Sequence, residues 1–285
     1  MLRSLIPVVD MPKRKLQKFA QNRENPLVHE YPYSELSAVG CAHRGAWAEQ
    51  VFGNRNPITI ELGCGKGEYT VALARQYPER NFIGIDKKGA RLWSGARDAL
   101  HEGLTNACFI RADIHWLQSI FAHGEIDEVW ITFPDPQMKK PRARLLSSVF
   151  FAKYTAFLKP LGQIRLKTDS TFLFDYTRLL LEANAIVPLL CLPNLYASVA
   201  AKALPRVQTY YEQQWLLRGK TIKYISFLLP HRDAFVEPLS EPEHDDYTAW
   251  TRMDRSYAAP DAPPHKGERV PRGGSKETAP APQDK

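Results

Sequence analysis

Short apolar runs rich in β-branched and aromatic residues recur along the middle of the chain and alternate with longer amphipathic stretches. The runs occupy residues 58–62, 81–86, 107–111, 128–133, 163–168 and 221–229. Between them, stretches such as EYTVALARQY and GARLWSGARDALHEG place apolar residues three or four positions apart, which is helical spacing. This alternation predicts an α/β fold, a mainly parallel sheet with helices on both faces.

The two ends of the chain lack this alternation, which divides the sequence into three regions. Residues 1–30 include the basic, polar stretch 12–25, and we expect them to form a flexible N-terminal arm. Residues 31–236 contain every periodic segment and form the expected globular domain. Residues 237–285 begin with acidic positions and become rich in proline, glycine and alanine, so we expect a mostly disordered tail.

Composition narrows the class of protein. Of the 285 residues, 44% are hydrophobic and 24% are charged, and no stretch reaches the roughly 20 apolar residues of a membrane helix. Pro7, Asp10 and Pro12 interrupt the apolar stretch at the N-terminus, so no export signal is recognisable. The four cysteines lie apart, without the spacing of a disulfide framework or a zinc site. We therefore expect a cytoplasmic protein without a metal.

The charge is unevenly distributed. From Glu237 onward the chain has ten acidic and seven basic residues, so the first 236 residues carry +10 although the whole chain carries +7. A basic body of this kind favours a polyanionic partner such as nucleic acid, although many basic proteins bind none.

A glycine-rich turn follows the first apolar run, in the sequence ELGCGKG of residues 61–67. In doubly wound sheets ligands bind at this edge, where Gly63 and Gly65 would let the backbone approach a ligand closely. The GxGxG spacing and the carboxylate of Glu61 favour the cationic methyl donor S-adenosylmethionine over the pyrophosphate of a dinucleotide. A P-loop is excluded, because Lys66 is followed by Gly67 instead of a serine or threonine.

Two further carboxylates follow the next two runs. Asp86 lies 25 positions after Glu61, where an acidic residue can bind ribose hydroxyls, and Asp113 is placed to meet an adenine amine. Either residue could instead cap a helix or form a turn. Their positions after successive strands favour cofactor binding.

The fourth run leads into FPDPQMKK, residues 133–140, where two prolines would hold Asp135 stiffly at the end of a strand. With this loop and the motifs ELGCGKGEYTVALA, NFIGIDKKGAR, LKTDS and QTYYEQQW, the chain resembles the TrmB family of tRNA (guanine-N7-)-methyltransferases over about residues 58–228. The resemblance implies a Rossmann-like class I methyltransferase fold with a seven-stranded sheet. It also implies methyl transfer from S-adenosylmethionine to N7 of guanine 46 in the variable loop of tRNA.

The same resemblance implies roles for individual residues. Those that would contact S-adenosylmethionine are Glu61, Asp86, Asp113 and Asp135. Those that would contact tRNA are Lys139, Asp169, Thr209, Tyr210, Tyr211 and Glu212. Asp86 stands where many members of the family have glutamate, and the long tail after Pro238 is not part of the family's core.

The chemistry of guanine N7 sets the demands on the site. This nitrogen has a lone pair and no proton, so its methylation needs alignment with the donor and no base. Asp135, the expected catalytic residue, and Asp169 would accept hydrogen bonds from the guanine N1–H and amine and stabilise the cationic ring.

Basic and aromatic residues near these motifs have two interpretations each. The basic cluster could meet tRNA phosphates or be a solvated loop; it comprises Lys139, Lys140, Arg142 and Arg144. The aromatic side chains could stack on a base or belong to the core; they are Tyr210, Tyr211 and Trp215.

Three alternatives remain at this stage. The first is another class I methyltransferase that acts on a different RNA, a small molecule or a protein, and the FPDP loop with Lys139 argues against it. The second is a nicotinamide-dependent oxidoreductase, against which the GxGxG spacing and Glu61 argue. The third is a non-catalytic RNA-binding module, against which the full set of Glu61, Asp86 and Asp135 argues.

Overall fold

A computed structural model describes residues 11–245, with side chains from Lys15 onward. The expected tail beyond residue 245 lies outside the described residues. The eight strands are β1 (Val28–Glu30), β2 (Ile58–Leu62), β3 (Asn81–Ile85), β4 (Ala107–Arg111), β5 (Ile126–Thr132), β6 (Leu158–Thr168), β7 (Pro188–Leu192) and β8 (Lys223–Leu228). The α-helices are α1 (Met11–Glu24), α2 (Tyr33–Ala38), α3 (Glu68–Gln76), α4 (Gly89–His101), α5 (Leu117–Ile120), α6 (Ser148–Tyr154), α7 (Thr171–Ala183) and α8 (Tyr210–Leu217).

All eight strands form one sheet in the order β1-β4-β3-β2-β5-β6-β8-β7. Strands β1 to β6 pair in parallel, whereas β8 runs antiparallel to both β6 and β7. The predicted α/β fold with a mainly parallel sheet is confirmed. The sheet has eight strands instead of seven because the three-residue β1 pairs with β4 at one edge.

Helices cover both faces of the sheet, as predicted. One hydrophobic core contains Ile110, Ile131 and residues of α5, α6 and α7. The other core contains Phe109, Trp130 and residues of α3, α4 and α8. Adjacent residues of β4 and β5 therefore point into opposite cores, which is the alternation of a sheet buried on both sides.

Residues 11–24 form the helix α1, although the sequence predicts a flexible arm there. Two amide side chains attach this segment to α4: Asn22 Nδ2 donates to Gly89 O at 2.9 Å, and Asn25 Nδ2 donates to Ala96 O at 3.0 Å. The Arg111 guanidinium lies over the Phe19 ring at 4.6 Å. The helix depends on these tertiary contacts, which a polar local sequence does not reveal.

The boundary expected at residue 237 also needs correction, because the chain packs on the domain beyond it. Glu237 accepts hydrogen bonds from the Tyr176 hydroxyl at 2.5 Å and from Ser148 N at 2.8 Å. Asp245 accepts hydrogen bonds from Ser170 Oγ and from Phe172 N, both at 3.1 Å. Acidic residues that suggest a solvated tail thus bind polar groups at the start of α6 and α7.

Candidate active site

The glycine loop between β2 and α3 has a left-handed backbone at three positions, with φ of 72°, 56° and 74° at Gly63, Gly65 and Gly67. A β-carbon at Gly63 would meet nothing within 4 Å, and one at Gly65 would meet only Gly63 O at 3.9 Å. A β-carbon at Gly67, by contrast, would lie 2.5 Å from the Phe109 ring. Gly67 therefore permits close packing inside the fold, while Gly63 and Gly65 form a cradle whose backbone a ligand can approach.

Asp86, at the end of β3, ties this loop to the sheet. The residue is only 8% exposed, and Oδ2 accepts a hydrogen bond from Gly65 N at 3.0 Å. Its other oxygen accepts a hydrogen bond from Lys88 N at 2.7 Å. One carboxylate thus fixes both the loop and the turn that leads into α4.

Glu61 lies beneath the loop, in the interior. Oε2 accepts hydrogen bonds from Thr70 N at 3.0 Å and Thr70 Oγ1 at 2.5 Å, and Oε1 accepts one from Thr132 Oγ1 at 2.6 Å. Burial raises the pKa of the Glu61 carboxyl to about 7, although the hydrogen bonds from Thr132 and Thr70 lower it. The carboxylate therefore connects β2, α3 and β5 and braces the glycine loop from below.

Asp113 follows β4 and caps the short 3₁₀ helix Ile114–Trp116. Its Oδ1 accepts hydrogen bonds from the His115 backbone at 3.0 Å and pairs with His115 Nδ1 at 2.7 Å. Partial burial raises the pKa of this carboxyl, but the hydrogen bonds and charge of His115, together with Lys87, outweigh burial and hold it below its usual value. Asp113 is exposed and stays charged at neutral pH.

The Pro134–Asp135–Pro136 turn follows β5 and is flanked by two strained residues. Phe133 has φ of 48° and Gln137 has φ of 47°, values that residues other than glycine seldom adopt. Asp135 is exposed, and its Oδ1 accepts a hydrogen bond from Gln137 N at 3.0 Å. Such strain is typical of functional loops whose geometry the surrounding fold imposes.

Sheet order brings the four predicted carboxylates to one edge. Asp113, Asp86 and Asp135 follow β4, β3 and β5, and Glu61 is the penultimate residue of β2. These strands are neighbours in the order β4-β3-β2-β5, and all run in parallel. Their carboxyl ends therefore lie side by side, the edge at which doubly wound sheets bind ligands.

The basic cluster is divided by the fold. Lys139, Lys140 and Arg142 are exposed, and Lys140 and Arg142 line a shallow depression with His115. Arg144 has no exposed surface, so the prediction that it belongs to a phosphate-binding cluster is wrong. Its guanidinium pairs inside the protein with Glu241 at 2.8 Å.

The start of α8 meets both loops of the site. Thr209 caps the helix by accepting a hydrogen bond from Glu212 N at 3.2 Å, and Tyr210 N donates to Glu68 Oε2 at 2.6 Å. The Tyr211 ring lies 5.4 Å from the Phe133 ring. The segment from Thr209 to Tyr211 is therefore attached to the glycine loop and to the Asp135 loop.

Asp169 follows β6 and is mostly buried. Among the described residues its Oδ1 has no hydrogen-bond partner, and burial raises the pKa of the carboxyl to about 6. Lys223 Nζ, at the start of β8, donates to Asp169 O at 3.0 Å. The unsatisfied oxygen marks Asp169 as an acceptor at this end of the sheet.

Comparison with known proteins identifies the family. A family model described as a putative methyltransferase matches residues 55–225. A tRNA (guanine-N(7)-)-methyltransferase of Bacteroides thetaiotaomicron is 48% identical over 246 residues, which cover 86% of this chain and 98% of that protein. The chain belongs to the tRNA (guanine-N7-)-methyltransferase family.

One further relative agrees with this assignment. A relative with the same name from Porphyromonas gingivalis is 48% identical over 239 residues, or 82% of this chain and 98% of its own. The solved structure of the 16S rRNA methyltransferase KamB is 15% identical, covers 66% of this chain and 94% of that one, and has a TM-score of 0.48. The family membership argues against the oxidoreductase and the non-catalytic module considered above.

Glu212, which the resemblance implies as a tRNA contact, is buried, whereas the adjacent Tyr211 and Gln213 are exposed. Its side chain is 0% exposed, and its carboxylate lies 2.8 Å from Lys167 Nζ. The Tyr196 hydroxyl donates to Glu212 Oε1 at 2.5 Å. Trp215 is also buried, which favours a core role over base stacking for this side chain.

Sequence reasoning missed several residues that shape the site. Thr70 and Thr132 hold Glu61, and Glu68 holds the start of α8. Glu68 can be found from the sequence because it lies in the first turn after the glycine loop, whereas the other contacts join distant segments.

Within residues 11–245, no helix is long and apolar enough to span a membrane, and no group of three or more His, Cys, Asp or Glu side chains is arranged to hold a metal.

Proposed function

We propose that the protein transfers a methyl group from S-adenosylmethionine to N7 of a guanine in tRNA, and that this base is guanine 46 of the variable loop. The observation that carries the proposal is the exposed Asp135, held in a strained loop beside the glycine cradle, in a chain whose relatives are named for this reaction.

The donor would lie along the carboxyl ends of β2, β3 and β4. The backbone at Gly63 and Gly65 leaves room for close approach, and Asp86 and Asp113 are acceptors suited to ribose hydroxyls and an adenine amine. When bound, S-adenosylmethionine supplies an electrophilic methyl group on a sulfonium. Glu61 would act mainly by bracing the cradle and placing negative charge beneath a cationic ligand.

The guanine would be held by carboxylates at the ends of β5 and β6. Asp135 would accept a hydrogen bond from the base and, by its charge, stabilise the ring as it becomes cationic. The buried, unsatisfied oxygen of Asp169 supports a second acceptor role, because an acceptor without a partner gains most from a ligand's N–H. The guanine N1–H and exocyclic amine supply such donors, and adenine lacks the same pattern.

The tRNA around the target would meet the exposed basic residues Lys139, Lys140 and Arg142. These side chains lie just after the Asp135 loop, where phosphates flanking an extruded base would pass. Tyr210 is 56% exposed at the start of α8 and is available to stack on a base. Asp135 and these contacts together account for alignment of N7, the main demand of the reaction.

The test is a methylation assay with labelled S-adenosylmethionine and an unmodified tRNA transcript, followed by digestion and identification of the labelled nucleoside. We expect N7-methylguanosine, and we expect no label when guanine 46 is replaced by adenine. Label at another guanine would overturn the proposed position, and a different methylated nucleoside would overturn the proposed reaction.

A further inference from the structure

Arg144 holds the backbone of the loop that presents Asp135. Its Nη2 donates to Met138 O at 2.8 Å, and its Nε donates to Gln137 O at 3.3 Å. Gln137 is the strained residue whose N–H binds the Asp135 carboxylate. Arg144 therefore fixes the peptide groups on the far side of the same turn.

The Arg144 guanidinium is completely buried, so its charge must be compensated within the protein. Two aromatic rings of α7 contact it: the Phe172 centroid lies at 4.8 Å and the Tyr176 centroid at 4.3 Å. Glu241 supplies the ion pair, with Oε1 at 2.8 Å from Nη1. The cation that fixes the loop thus depends on a carboxylate from the end of the described chain.

Residues 237–245, which we call the C-terminal strap, reach the domain through three acidic side chains. Glu237 binds the start of α6, and Asp245 binds the start of α7, as described above. Glu241 lies between them and meets Arg144 with a side chain that is 40% exposed. The strap is anchored at both ends, which places the Glu241 carboxylate over the guanidinium.

We propose that the C-terminal strap is part of the catalytic apparatus, with Glu241 as a positioning residue that acts on Asp135 through Arg144 and the Gln137–Met138 peptide. The inference rests on the proposed function, since it concerns the placement of Asp135 against the methyl acceptor. Glu241 itself touches neither substrate. Its loss would let the guanidinium shift and the strained turn relax, and displacement of a reacting group by about 1 Å can cost two orders of magnitude in rate.

The experiment compares Glu241→Ala with Glu243→Ala, a matched control that removes the same charge from an exposed position two residues away. Single-turnover methylation of an unmodified tRNA transcript should slow about tenfold in Glu241→Ala and stay near the wild-type rate in Glu243→Ala. The Kd for S-adenosylmethionine and the KM for tRNA should change less than about twofold, since the variant alters alignment only. Glu241→Gln, which keeps a hydrogen-bond acceptor, should fall between Glu241→Ala and the wild type.

A second measurement does not depend on activity. Hydrogen exchange of the loop amides, including Gln137 N and Lys140 N, should accelerate in Glu241→Ala and not in Glu243→Ala, at a temperature where both variants are folded. Faster exchange of the loop amides in Glu241→Ala would support the inference that the C-terminal strap holds the Asp135 loop, even if the wild-type protein methylated a different substrate. The failure of the proposed function is therefore distinguishable from the failure of this inference. Equal exchange and equal rates in the two variants would overturn the proposal.

Discussion

The Lys167 ammonium and the Glu212 carboxylate form a buried ion pair with a separation of 2.8 Å, which joins the end of β6 to the first turn of α8. Burial lowers the pKa of Lys167, and the Glu212 charge offsets part of that effect. Lys167 Nζ also donates to Val207 O at 2.8 Å, just before α8 begins. The pair therefore fixes the Thr209–Tyr211 segment against the sheet.

We predict that Glu212→Ala destabilises the protein by about 3–5 kcal/mol, because it leaves the Lys167 charge buried without a counter-charge. Urea unfolding of the variant and the wild type measures this loss. Gln213→Ala, at the exposed neighbouring position, is the control and should have little effect. Unchanged stability combined with lost tRNA affinity would instead make Glu212 a direct substrate contact.

Asp135→Asn should slow the chemical step by about 100-fold, the scale for loss of one preorganised electrostatic contact. The asparagine oxygen can still accept the hydrogen bond from Gln137 N, so the loop should keep its shape. Single-turnover methylation and tRNA affinity are measured on the same protein, and affinity should change little. A near-normal rate would reduce Asp135 to a turn residue and leave Asp169 as the better candidate.

Replacement of Lys139 and Lys140 by alanine should weaken tRNA binding and flatten its dependence on salt. Each lost phosphate contact reduces the magnitude of the slope of log K against log salt by about 0.7–0.9. The slope for the double variant should therefore be smaller in magnitude by roughly 1.5. Titrations across salt concentrations test this. The control removes two charges near the amino ends of β2 and β6, Arg55 and Lys159, and should leave the slope unchanged.

The raised pKa of Glu61 predicts a pH dependence of stability. The folded protein protonates this carboxyl with a pKa of about 7, above the ordinary value of 4.5, mainly because of burial. The folded state therefore binds more protons than the unfolded state between these values, and ionised Glu61 costs stability as pH rises from 4.5 to 7. Linkage sets this loss of unfolding free energy in the wild type at about a few kcal/mol. Glu61→Gln has no carboxyl to ionise at this position, so urea unfolding at several pH values should show the loss in the wild type and not in the variant. If the unfolding free energies of the wild type and Glu61→Gln changed in parallel with pH, the predicted role of Glu61 would be contradicted.

Removal of residues 246–285 should leave the methylation rate unchanged, because every proposed site residue and every contact of the C-terminal strap described above lies within residues 11–245. Removal of residues 237–285 should slow methylation and lower the unfolding temperature, since it also deletes the partners of Arg144 and Tyr176. Single-turnover rates and thermal unfolding of the two truncated chains make the comparison. A loss of activity on removal of 246–285 alone would assign a role to that tail.

The sequence predicts the central strands and the carboxylates near their carboxyl ends, because each carboxylate lies at or within two residues of the end of an apolar run that is recognisable from its composition. It does not predict which charged residues turn inward. Arg144 pairs with a carboxylate 97 positions away, and Lys167 with one 45 positions away, so neither partnership leaves a local pattern. Helix α1 and strand β1 were missed for the same reason, since both are stabilised by contacts with α4 and β4.

The two outermost strands of the sheet are poor templates for association with another chain. Within residues 11–245, β1 offers only three residues at one edge. At the other edge, β7 begins with Pro188, which has no amide hydrogen, and its register shifts between Pro188 and Leu190. Short strands, proline and irregular register all discourage intermolecular strand pairing. The sheet can therefore remain wide and largely parallel without an open border that promotes aggregation.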